Sequence, residues 1–214
     1  MRYGEMSCGR FLEELASKQA VPGGGGASAL AGALGAALGG MVGNLTLGKK
    51  KYADVESEIL ALNERAEPLR EELLSLADAD AEAFLPLSEV YSMPKDTPEE
   101  RAARAKAMES ALRVASAVPM RIMEAACRVV ELLEVYAEKG STLAVSDAGT
   151  GAALCAAAIK GASLNVLINT KYMTDRERAS ALEEKAGTML AEFVPRAERV
   201  YESVAARLAA KGEV

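Results

Sequence analysis

Asp147 is the acidic side chain whose setting in the sequence best suits proton transfer. It is the only acidic residue between Lys139 and Asp175, and it stands where a short loop leads into an apolar, alanine-rich segment. A carboxylate there would experience desolvation, which disfavours its charge, and the dipole of a helix start, which favours it. Such a residue is a candidate general base. The alternative, which the spacing alone favours, is that Asp147 or Ser146 caps the helix.

A run of glycines offers a second kind of chemistry. Its bare N–H groups, placed before a helix, could bind an anion. The run lacks the Lys-Ser/Thr ending of a nucleotide-binding P-loop, and no predicted strand precedes it. The alternative is a flexible linker. The run follows Pro22 and consists of Gly23, Gly24, Gly25 and Gly26.

Three amide side chains lie on or beside apolar segments. They belong to Asn44, Asn165 and Asn169. A buried amide that lacks partners costs about 1–3 kcal/mol. These residues are therefore candidates for hydrogen bonding to a heterocycle that is rich in donors and acceptors. The alternative partners are neighbouring backbone groups and helix ends.

Charged side chains form two further candidate groups. Lys49, Lys50 and Lys51 are the densest positive cluster of this acidic chain and could bind the carboxylate tail of a substrate. A predicted helix contains Asp78, Asp80 and Glu82 among apolar neighbours, and positions 78 and 82 share a face. The alternative for the lysines is a solvated helix end. The alternative for the carboxylates is the solvent-exposed face of an amphipathic helix.

The composition argues against several classes of function. The net charge of −6 does not favour nucleic acid binding, which needs a basic surface. The chain has no His, which removes the commonest general base and the commonest metal ligand. The three cysteines are scattered, without the spacing of a disulfide framework or a zinc site. Since Met1 to Phe11 has no apolar stretch of signal-peptide length, we predict a cytoplasmic location.

An uncharged segment raises the alternative of a membrane protein. No residue from Gln19 to Gly48 is charged, and the segment is long enough to span a bilayer. Glycine and alanine dominate it, however, and such residues gain little from transfer into lipid. We therefore predict a helix buried among other helices, and no membrane partner.

The hydrophobic periodicity predicts an all-α fold without strands. Two Ala/Gly-rich helices, 27–47 and 148–169, are predicted to lie side by side at the centre, because small faces allow close helix crossings. Pro68 and Pro86 are expected to kink or break the helix that contains them. The predicted architecture is a single-domain helical bundle over 1–214, and its weakly charged central helices also suit a homodimer interface. The surrounding helices are predicted over 7–18, 53–91, 97–117, 119–139 and 174–210, with capping boxes at 97–100 and 174–177.

Short motifs, in order along the chain, resemble the cyclodeaminase/cyclohydrolase family. This family includes bacterial methenyltetrahydrofolate cyclohydrolases and the C-terminal half of formiminotransferase-cyclodeaminase. Each motif alone is weak, whereas the ordered set from residue 22 to residue 169 is specific. The motifs are Pro22–Gly25, Gly43–Thr46, Gly48–Tyr52, Asp78–Phe84, Met93–Lys95, Ser146–Gly149, Lys160–Ala162, Asn165–Val166 and Ile168–Asn169.

The resemblance implies an all-helical homodimer with no metal and no prosthetic group, and with a tetrahydrofolate derivative as substrate. It implies one of two reactions. A cyclohydrolase adds water to the methenyl carbon and opens the ring to 10-formyltetrahydrofolate, whereas a cyclodeaminase closes the ring of 5-formiminotetrahydrofolate with loss of ammonia. It also implies a folate site at the glycine loop and the Asp-Ala-Gly turn. Together with the candidates above, our predicted substrate-binding residues are Gly23, Gly24, Gly25, Gly26, Ser28, Asn44, Lys49, Lys50, Ser146, Gly149, Asn165 and Asn169.

Both reactions pass through a tetrahedral carbon between N5 and N10 and need a group that transfers a proton. Because the chain has no His, a carboxylate, Lys or Cys must serve. Our hypothesis assigns this step to Asp147, with Asp80 as the second candidate. Asn165 and Asn169 would orient the pterin, and the lysine cluster would bind the glutamate tail.

We rank the cyclohydrolase reaction first, because the chain lacks a formiminotransferase half, and keep the cyclodeaminase reaction as the alternative. Two positions depart from the family pattern. Gly26 stands where Ser is expected, and Ser141 stands where Asn is expected after Gly140. These departures keep open a third alternative, a non-catalytic folate-binding or scaffold protein.

Overall fold

The structure is a computed structural model that describes residues 2–210. Within that span the regular elements are all helical, which confirms the predicted all-α class. The long elements are α1 Cys8–Leu15, α2 Gly24–Asn44, α3 Glu56–Tyr91, α4 Pro98–Lys139, α5 Val145–Thr170 and α6 Arg176–Ala209. Short 3₁₀ turns occupy Tyr3–Glu5 and Lys50–Tyr52.

The centre of the bundle is the antiparallel pair of α2 and α5. A Cβ atom added at Gly35 would overlap the Sγ atom of Cys155, and one added at Gly161 would overlap the Oγ atom of Ser28. Glycine therefore sets the distance between the two helices. This arrangement confirms the prediction that the two Ala/Gly-rich helices lie side by side.

Three long helices enclose the central pair. α3 packs on α2, α6 packs on α5, and α4 contacts both central helices. Tyr136 of α4 is fully buried against Gly39 and Gly43 of α2. Its hydroxyl donates a hydrogen bond of 2.7 Å to Oδ1 of Asn63 on α3. The aromatic ring thus fills the space that the glycines leave open.

The start of α2 differs from the prediction. The sequence predicts a loop through Gly26, whereas the helix begins at Gly24 with Gly23 at its cap position. The loop assignment is wrong because Gly25 and Gly26 are buried in the first helical turn. A Cβ atom at Gly25 would overlap the carboxylate of Asp80. The glycines here allow close packing of a helix start, and flexibility is not their role.

The internal prolines do not end the long helices. α3 continues through Pro68 and Pro86, and α4 continues through Pro119, where the sequence predicts a new helix. A proline inside a helix costs about 3 kcal/mol. The neighbouring helices hold α4 at this point, since Val118, Pro119 and Met120 are all buried. Tertiary packing therefore outweighs the local cost.

One of the two predicted capping boxes is confirmed. The Thr97 hydroxyl accepts a hydrogen bond from the N–H of Glu100, and the Glu100 carboxylate accepts one from the N–H of Thr97. The second box is wrong by one residue, because α6 is capped by Asp175. Thr174 instead donates two hydrogen bonds of 2.7 Å to the carboxylate of Glu109 on α4.

We expect Gly35→Ala to lower the free energy of unfolding by roughly 1–3 kcal/mol, because the added methyl group presses against Cys155. Urea denaturation measures the change. Gly187→Ala is the matched control, since Gly187 is an exposed residue of α6 with no atom within 4 Å of an added Cβ. Its effect should be neutral or stabilising, by up to about 1 kcal/mol. Equal effects of the two variants would contradict the packing argument.

Candidate active site

A pocket lies beside the start of α2, where it meets α3, α4 and α5. Its volume is about 230 Å³. One carboxylate, two amides and several apolar side chains share it. The lining residues are Ala20, Val21, Gly23, Gly24, Asp80, Phe84, Ala115, Pro119, Asn165, Ile168 and Asn169.

Asp80 is the one ionisable side chain among the described residues that line this pocket. Its carboxylate packs against the backbone of Gly25, and the N–H of Gly26 donates a hydrogen bond to it. Burial disfavours the charged form more than this hydrogen bond favours it, and raises the pKa of Asp80 to about 6. The group therefore changes its protonation close to neutral pH, which is the property of a general acid–base catalyst.

Asn165 and Asn169 lie one turn apart on α5 and line the same pocket. Nδ2 of Asn165 donates to the carbonyl of Gly161, and Nδ2 of Asn169 donates to the carbonyl of Ala115, both at 2.9 Å. Within residues 2–210 neither Oδ1 atom has a hydrogen-bond partner, and neither is sealed from solvent. Each amide is thus fixed by its nitrogen and offers its oxygen as an acceptor.

Part of the glycine run lines the pocket, and part of it lies against the carboxylate of Asp80. Gly23 and Gly24 line the pocket. Gly25 packs against the carboxylate of Asp80, and the backbone of Gly26 is hydrogen-bonded to it. Ser28 is directed elsewhere: its Oγ donates to the carbonyl of Gly24 at 2.7 Å and packs against Gly161. This hydroxyl, predicted to bind substrate, therefore serves the contact between α2 and α5 and is not among the pocket-lining residues.

The pocket suits proton transfer on a flat, hydrogen-bonding ring. Phe84, Pro119 and Ile168 supply apolar walls, while the amide oxygens and the carboxylate supply a few fixed polar groups. Within residues 2–210 no group of three or more His, Cys, Asp or Glu side chains is placed to hold a metal ion. The chemistry that these residues offer is that of a single carboxylate.

The other predicted site residues lie at the opposite end of the central helices. Asp147 is partly buried in the first turn of α5, and about 27 Å of helix separate it from Asn165. Within a single chain, Asp147 therefore lies far from the glycine run. The Asp80 end holds Gly23, Gly24, Gly25, Gly26, Asp80, Asn165 and Asn169, and the Asp147 end holds Asn44, Lys49, Lys50, Ser146, Asp147 and Gly149.

The start of α5 lacks a side-chain cap. Ala144 occupies the cap position, so the suggestion that Ser146 or Asp147 caps the helix is wrong. Gly149 is buried, and a Cβ atom there would lie 3.1 Å from Val204 of α6. Its role is helix packing, whereas Ser146 is exposed and Asp147 is partly exposed.

A hydrogen-bonded cluster at the Asp147 end is a feature that the sequence reasoning missed. The hydroxyl of Tyr52 accepts a hydrogen bond of 3.0 Å from the N–H of Thr142, and Nζ of Lys49 donates to Oγ of Ser141 at 3.4 Å. Hydrogen bonds from the Thr142 side chain and backbone lower the pKa of Tyr52 to about 8. The signal available in the sequence was the position of Tyr52 directly after three lysines.

The remaining residues of the Asp147 end do not converge on this cluster. Oδ1 of Asn44 accepts a hydrogen bond of 2.9 Å from Asn63, which itself accepts one from Tyr136. Asn44 therefore faces the groove between α2 and α3. Lys50 is exposed in the 3₁₀ turn.

Comparisons with known proteins point to one family. A family model described as formiminotransferase-cyclodeaminase matches residues 7–188. The chain is 42% identical to a methenyltetrahydrofolate cyclohydrolase of Methylorubrum extorquens over 198 residues, which are 92% of this chain and 95% of that protein.

Relatives that carry the cyclodeaminase name also match. The chain is 36% identical to mouse formimidoyltransferase-cyclodeaminase over 92% of its own length, but it spans only 36% of that longer protein. The solved structure of a formiminotetrahydrofolate cyclodeaminase from Thermotoga maritima superimposes with a TM-score of 0.79 at 31% identity, and covers 94% of this chain and 98% of that one.

We expect Asp80→Asn to raise the free energy of unfolding at pH 7.5 by roughly 1–3 kcal/mol. This range is lower than the pKa shift alone would give, because solvent partly screens the side chain. Asp80 binds its proton more tightly in the folded state, so its ionisation destabilises the fold as pH rises from about 4 to about 6. The gain from the variant should therefore shrink by more than half at pH 4.5. Urea denaturation at both pH values measures it.

Glu82→Gln is the matched control for this experiment. Glu82 is an exposed carboxylate on the same helix and does not line the pocket. Its removal should change the free energy of unfolding little, and similarly at the two pH values. A gain from Asp80→Asn that does not depend on pH would contradict the assignment of a buried, titrating carboxylate.

Proposed function

This chain belongs to the formiminotransferase-cyclodeaminase family, and from that premise we propose that it is an enzyme acting on the one-carbon bridge of tetrahydrofolate. The reaction that we assign is the methenyltetrahydrofolate cyclohydrolase reaction. Water adds to the 5,10-methenyl carbon, and the ring opens to 10-formyltetrahydrofolate. The support is the relative of that name, which matches along nearly its whole length at 42% identity.

The observation that carries the proposal is the carboxylate of Asp80, which lines the pocket against Gly25 at the start of α2. Burial there raises the pKa of Asp80 to about 6. In the proposed reaction it accepts a proton from water as the oxygen bonds to the methenyl carbon. The bond from that carbon to N5 then breaks. One proton of the water goes to N5 and the other to solvent, so the methenyl cation and water give 10-formyltetrahydrofolate and one proton.

The walls of the pocket fit the pterin ring. The free oxygens of Asn165 and Asn169 can accept hydrogen bonds from the amino group and ring N–H of a pterin, while their nitrogens hold them in place. Phe84 and Ile168 offer apolar surfaces for the ring faces. The negative charge of Asp80 would also stabilise the cationic bridge.

The cyclodeaminase reaction is the alternative, favoured by the structural match to the Thermotoga enzyme. It could use the same carboxylate. N10 would bond to the formimino carbon while Asp80 takes the N10 proton and delivers it to the formimino nitrogen. That nitrogen takes a second proton from solvent, and its bond to the carbon breaks, so that ammonia leaves and the 5,10-methenyl cation remains. The reacting carbon and the flat ring are common to both reactions, so the geometry of the pocket serves either substrate.

We also propose that the protein is a homodimer in which the central helices of two copies pack together. Both helices present exposed apolar side chains on the side that other helices leave uncovered, and contiguous apolar faces of this kind mark interaction surfaces. Leu34 is 56% exposed and Leu164 is 66% exposed. The large exposed apolar residues of this surface are Leu34, Met41, Leu164, Leu167 and Ile168.

A dimer would also bring the two groups of predicted site residues together. A two-fold axis perpendicular to α2 and α5 places the Asp80 end of one copy against the Asp147 end of the other. The Asp147 of the partner subunit could then face the pocket of the first copy. In this arrangement the catalytic role of Asp147 stays a prediction, now assigned across the interface.

A membrane is the other environment that could cover this surface. Among the helices of residues 2–210, α2 and α5 are long and apolar enough to cross a bilayer, but 56% and 50% of the tested windows are buried inside the fold. Central helices of soluble bundles have the same composition. We propose a second copy as the occupant, no membrane or nucleic acid partner, and a cytoplasmic location.

We expect the purified protein to consume 5,10-methenyltetrahydrofolate faster than a buffer blank, with loss of the methenyl absorbance. A parallel assay with 5-formiminotetrahydrofolate follows the appearance of that absorbance. Asp80→Asn should lower kcat by at least about 100-fold, because the proton acceptor is lost. The rate of the unmodified enzyme should rise through about pH 6 as Asp80 loses its proton, and the pH profile of the variant should lack that rise.

The two assays separate the possible outcomes. Turnover of the formimino substrate alone would replace the cyclohydrolase assignment by the cyclodeaminase reaction. Folate binding without turnover of either substrate would support the scaffold alternative. Unchanged turnover in Asp80→Asn, together with loss of turnover in Asp147→Asn, would move the proton transfer to Asp147.

We expect Leu34→Asp to convert a dimer into a monomer in light scattering, because it places a charge in the shared apolar face. Leu12→Asp is the matched control: Leu12 is 61% exposed on α1, outside that face, and its variant should remain dimeric.

Mixing inactive Asp80→Asn and Asp147→Asn subunits should restore about a quarter of the activity, since random association leaves one intact site in each mixed dimer. A monomeric unmodified protein would refute the shared site.

A further inference from the structure

We propose that Tyr52 of the partner subunit is a second catalytic residue, whose hydroxyl gives a proton to N5 as the folate ring opens. This inference rests on the proposed function and on the proposed homodimer. It assigns a role to the hydrogen-bonded cluster at the Asp147 end. Each active site then takes its proton acceptor, Asp80, from one subunit and its proton donor from the other.

The cluster holds the Tyr52 hydroxyl through its oxygen, so its proton can point outward. That oxygen accepts a hydrogen bond of 3.0 Å from the N–H of Thr142. The Thr142 hydroxyl lies 3.3 Å away and can donate a second one. Nζ of Lys51 lies 5.2 Å from the centre of the Tyr52 ring. A phenol oxygen that accepts two hydrogen bonds can direct its own proton to a ligand.

The same contacts make this phenol a stronger acid than an ordinary tyrosine. Hydrogen bonds from the side chain and the backbone of Thr142 lower the pKa of Tyr52 to about 8. At neutral pH the hydroxyl therefore still carries its proton, and it gives that proton up more readily than an ordinary phenol. The charged groups on the elements around it are Lys49, Lys50 and Lys51 on its own turn, Glu56 in the first turn of α3, and Asp147 in the first turn of α5.

The contacts between α2 and α5 show which positions of the two helices are level with each other. Gly24 lies against Asn165, and Gly35 lies against Cys155. Because the helices are antiparallel, a step forward along one matches a step backward along the other. Ile168, three residues after Asn165, is therefore level with Val21, and both of these residues line the pocket.

The exposed apolar surface of the central helices indicates where a two-fold axis would lie. The surface runs from Ile168, level with Val21, to Leu45 at the end of α2. Leu34, which is 56% exposed, lies close to the middle of that span. A self-complementary surface has its two-fold axis at its centre. In the proposed dimer the axis therefore passes near Leu34.

An axis near Leu34 brings the cluster of one subunit to the pocket of the other. On α2 it places Leu45 of the partner subunit opposite Gly23. The turn that carries Tyr52 follows shortly after Leu45, so on the partner it lies beside the segment that lines the pocket before α2. On α5 the same axis places Thr142 of the partner subunit about level with Asn169. Both central helices therefore lead to the same pairing.

The pocket and the Asp147 end each have a feature that this pairing explains. The pocket, at about 230 Å³, is smaller than the sites of roughly 300–1,000 Å³ that enclose ligands of this size, so part of the wall must come from elsewhere. At the Asp147 end, Leu143 is 89% exposed and Leu45 is 41% exposed. A second subunit would cover these apolar side chains and complete the wall of the pocket.

The proposed step completes the proton balance of the cyclohydrolase reaction. Asp80 takes one proton from the attacking water. The partner's Tyr52 gives its proton to N5 as the bond between N5 and the former methenyl carbon breaks. The hydroxyl on that carbon loses its proton to solvent and becomes the formyl oxygen. The phenolate regains a proton from Asp80 through solvent, so the methenyl cation and water give 10-formyltetrahydrofolate and one proton.

We expect Tyr52→Phe to lower kcat about 100-fold with little change in KM, because the ring stays and only the donated proton is lost. After subtraction of the buffer blank, kcat/KM of the unmodified enzyme should fall as pH rises through about 8, and the variant should lack that fall. Thr142→Val should move the fall to higher pH, since it removes a hydrogen bond that stabilises the phenolate.

Tyr201→Phe is the matched control for loss of a tyrosine hydroxyl. Tyr201 is 54% exposed on α6 and takes no part in the cluster, so its variant should keep kcat and the pH profile of the unmodified enzyme. Turnover by Tyr52→Phe that equals turnover by Tyr201→Phe would overturn the assignment of Tyr52.

Co-expression of two variants tests whether Tyr52 acts across the interface. Dimers formed from Tyr52→Phe and Asp80→Asn subunits at random should regain about a quarter of the unmodified activity, because each mixed dimer has one site with both groups. Each variant expressed alone is the control. Activity of the mixture that does not exceed the mean of the two controls would contradict a shared site.

A cross-linking measurement locates the Tyr52 turn without any turnover. Ala20 and Ala53 are exposed, and the length of α2, about 30 Å, separates them within one chain. Cys8 is the exposed cysteine of the described residues, so the background variant is Cys8→Ser. In it, Ala20→Cys/Ala53→Cys should form covalent dimers with a short bismaleimide, whereas either single variant should not.

The outcomes distinguish failure of this inference from failure of the proposed function. Absence of covalent dimers would overturn the position of Tyr52 at the partner's pocket, whatever the activity. Covalent dimers without turnover of either folate by the unmodified protein would refute the proposed function and the catalytic role together. Turnover that persists unchanged in Tyr52→Phe would refute the role of Tyr52 alone.

Discussion

The close approach of α2 to α5 is the constraint on which the rest of the structure depends. The two backbones can meet only where Gly35 and Gly161 leave no side chain between them. Their contact fixes the first turn of α2 against α3, where Gly25 leaves room for the carboxylate of Asp80. A wider helix crossing would separate that turn from the carboxylate and admit water. The environment of the candidate catalytic group thus follows from a helix packing distance.

Two opposing effects then determine the pKa of Asp80. The N–H of Gly26 at a helix start favours its negative charge, whereas burial disfavours it, and burial prevails. A carboxylate that titrates near pH 6 can both accept and return a proton at neutral pH. This property compensates for the lack of His in the chain. In the function that we propose, the same carboxylate could serve either of the two folate reactions whose names the relatives carry.

The polar groups of the two predicted sets of site residues lie at opposite ends of the central helices. The Asp80 end contains the carboxylate and the fixed amides. The Asp147 end contains the lysines and the hydrogen-bonded pair of Tyr52 and Thr142. Between the ends, the exposed side of the central helices is apolar. In the homodimer that we propose, a two-fold pairing through that surface would let both ends contribute to one site.

The sequence by itself determined the helical class and the pairing of the two small-residue helices, because both follow from local periodicity and side-chain size. It also selected Asp80 and the two amides of α5 as candidates. It could not rank Asp80 above Asp147, since only the packing of segments distant in sequence buries the first and separates the second from the glycines. Tertiary structure alone decided that α2 begins at Gly24 and that α4 continues through Pro119. In both cases contacts between helices outweigh local preferences by an amount that local sequence does not reveal.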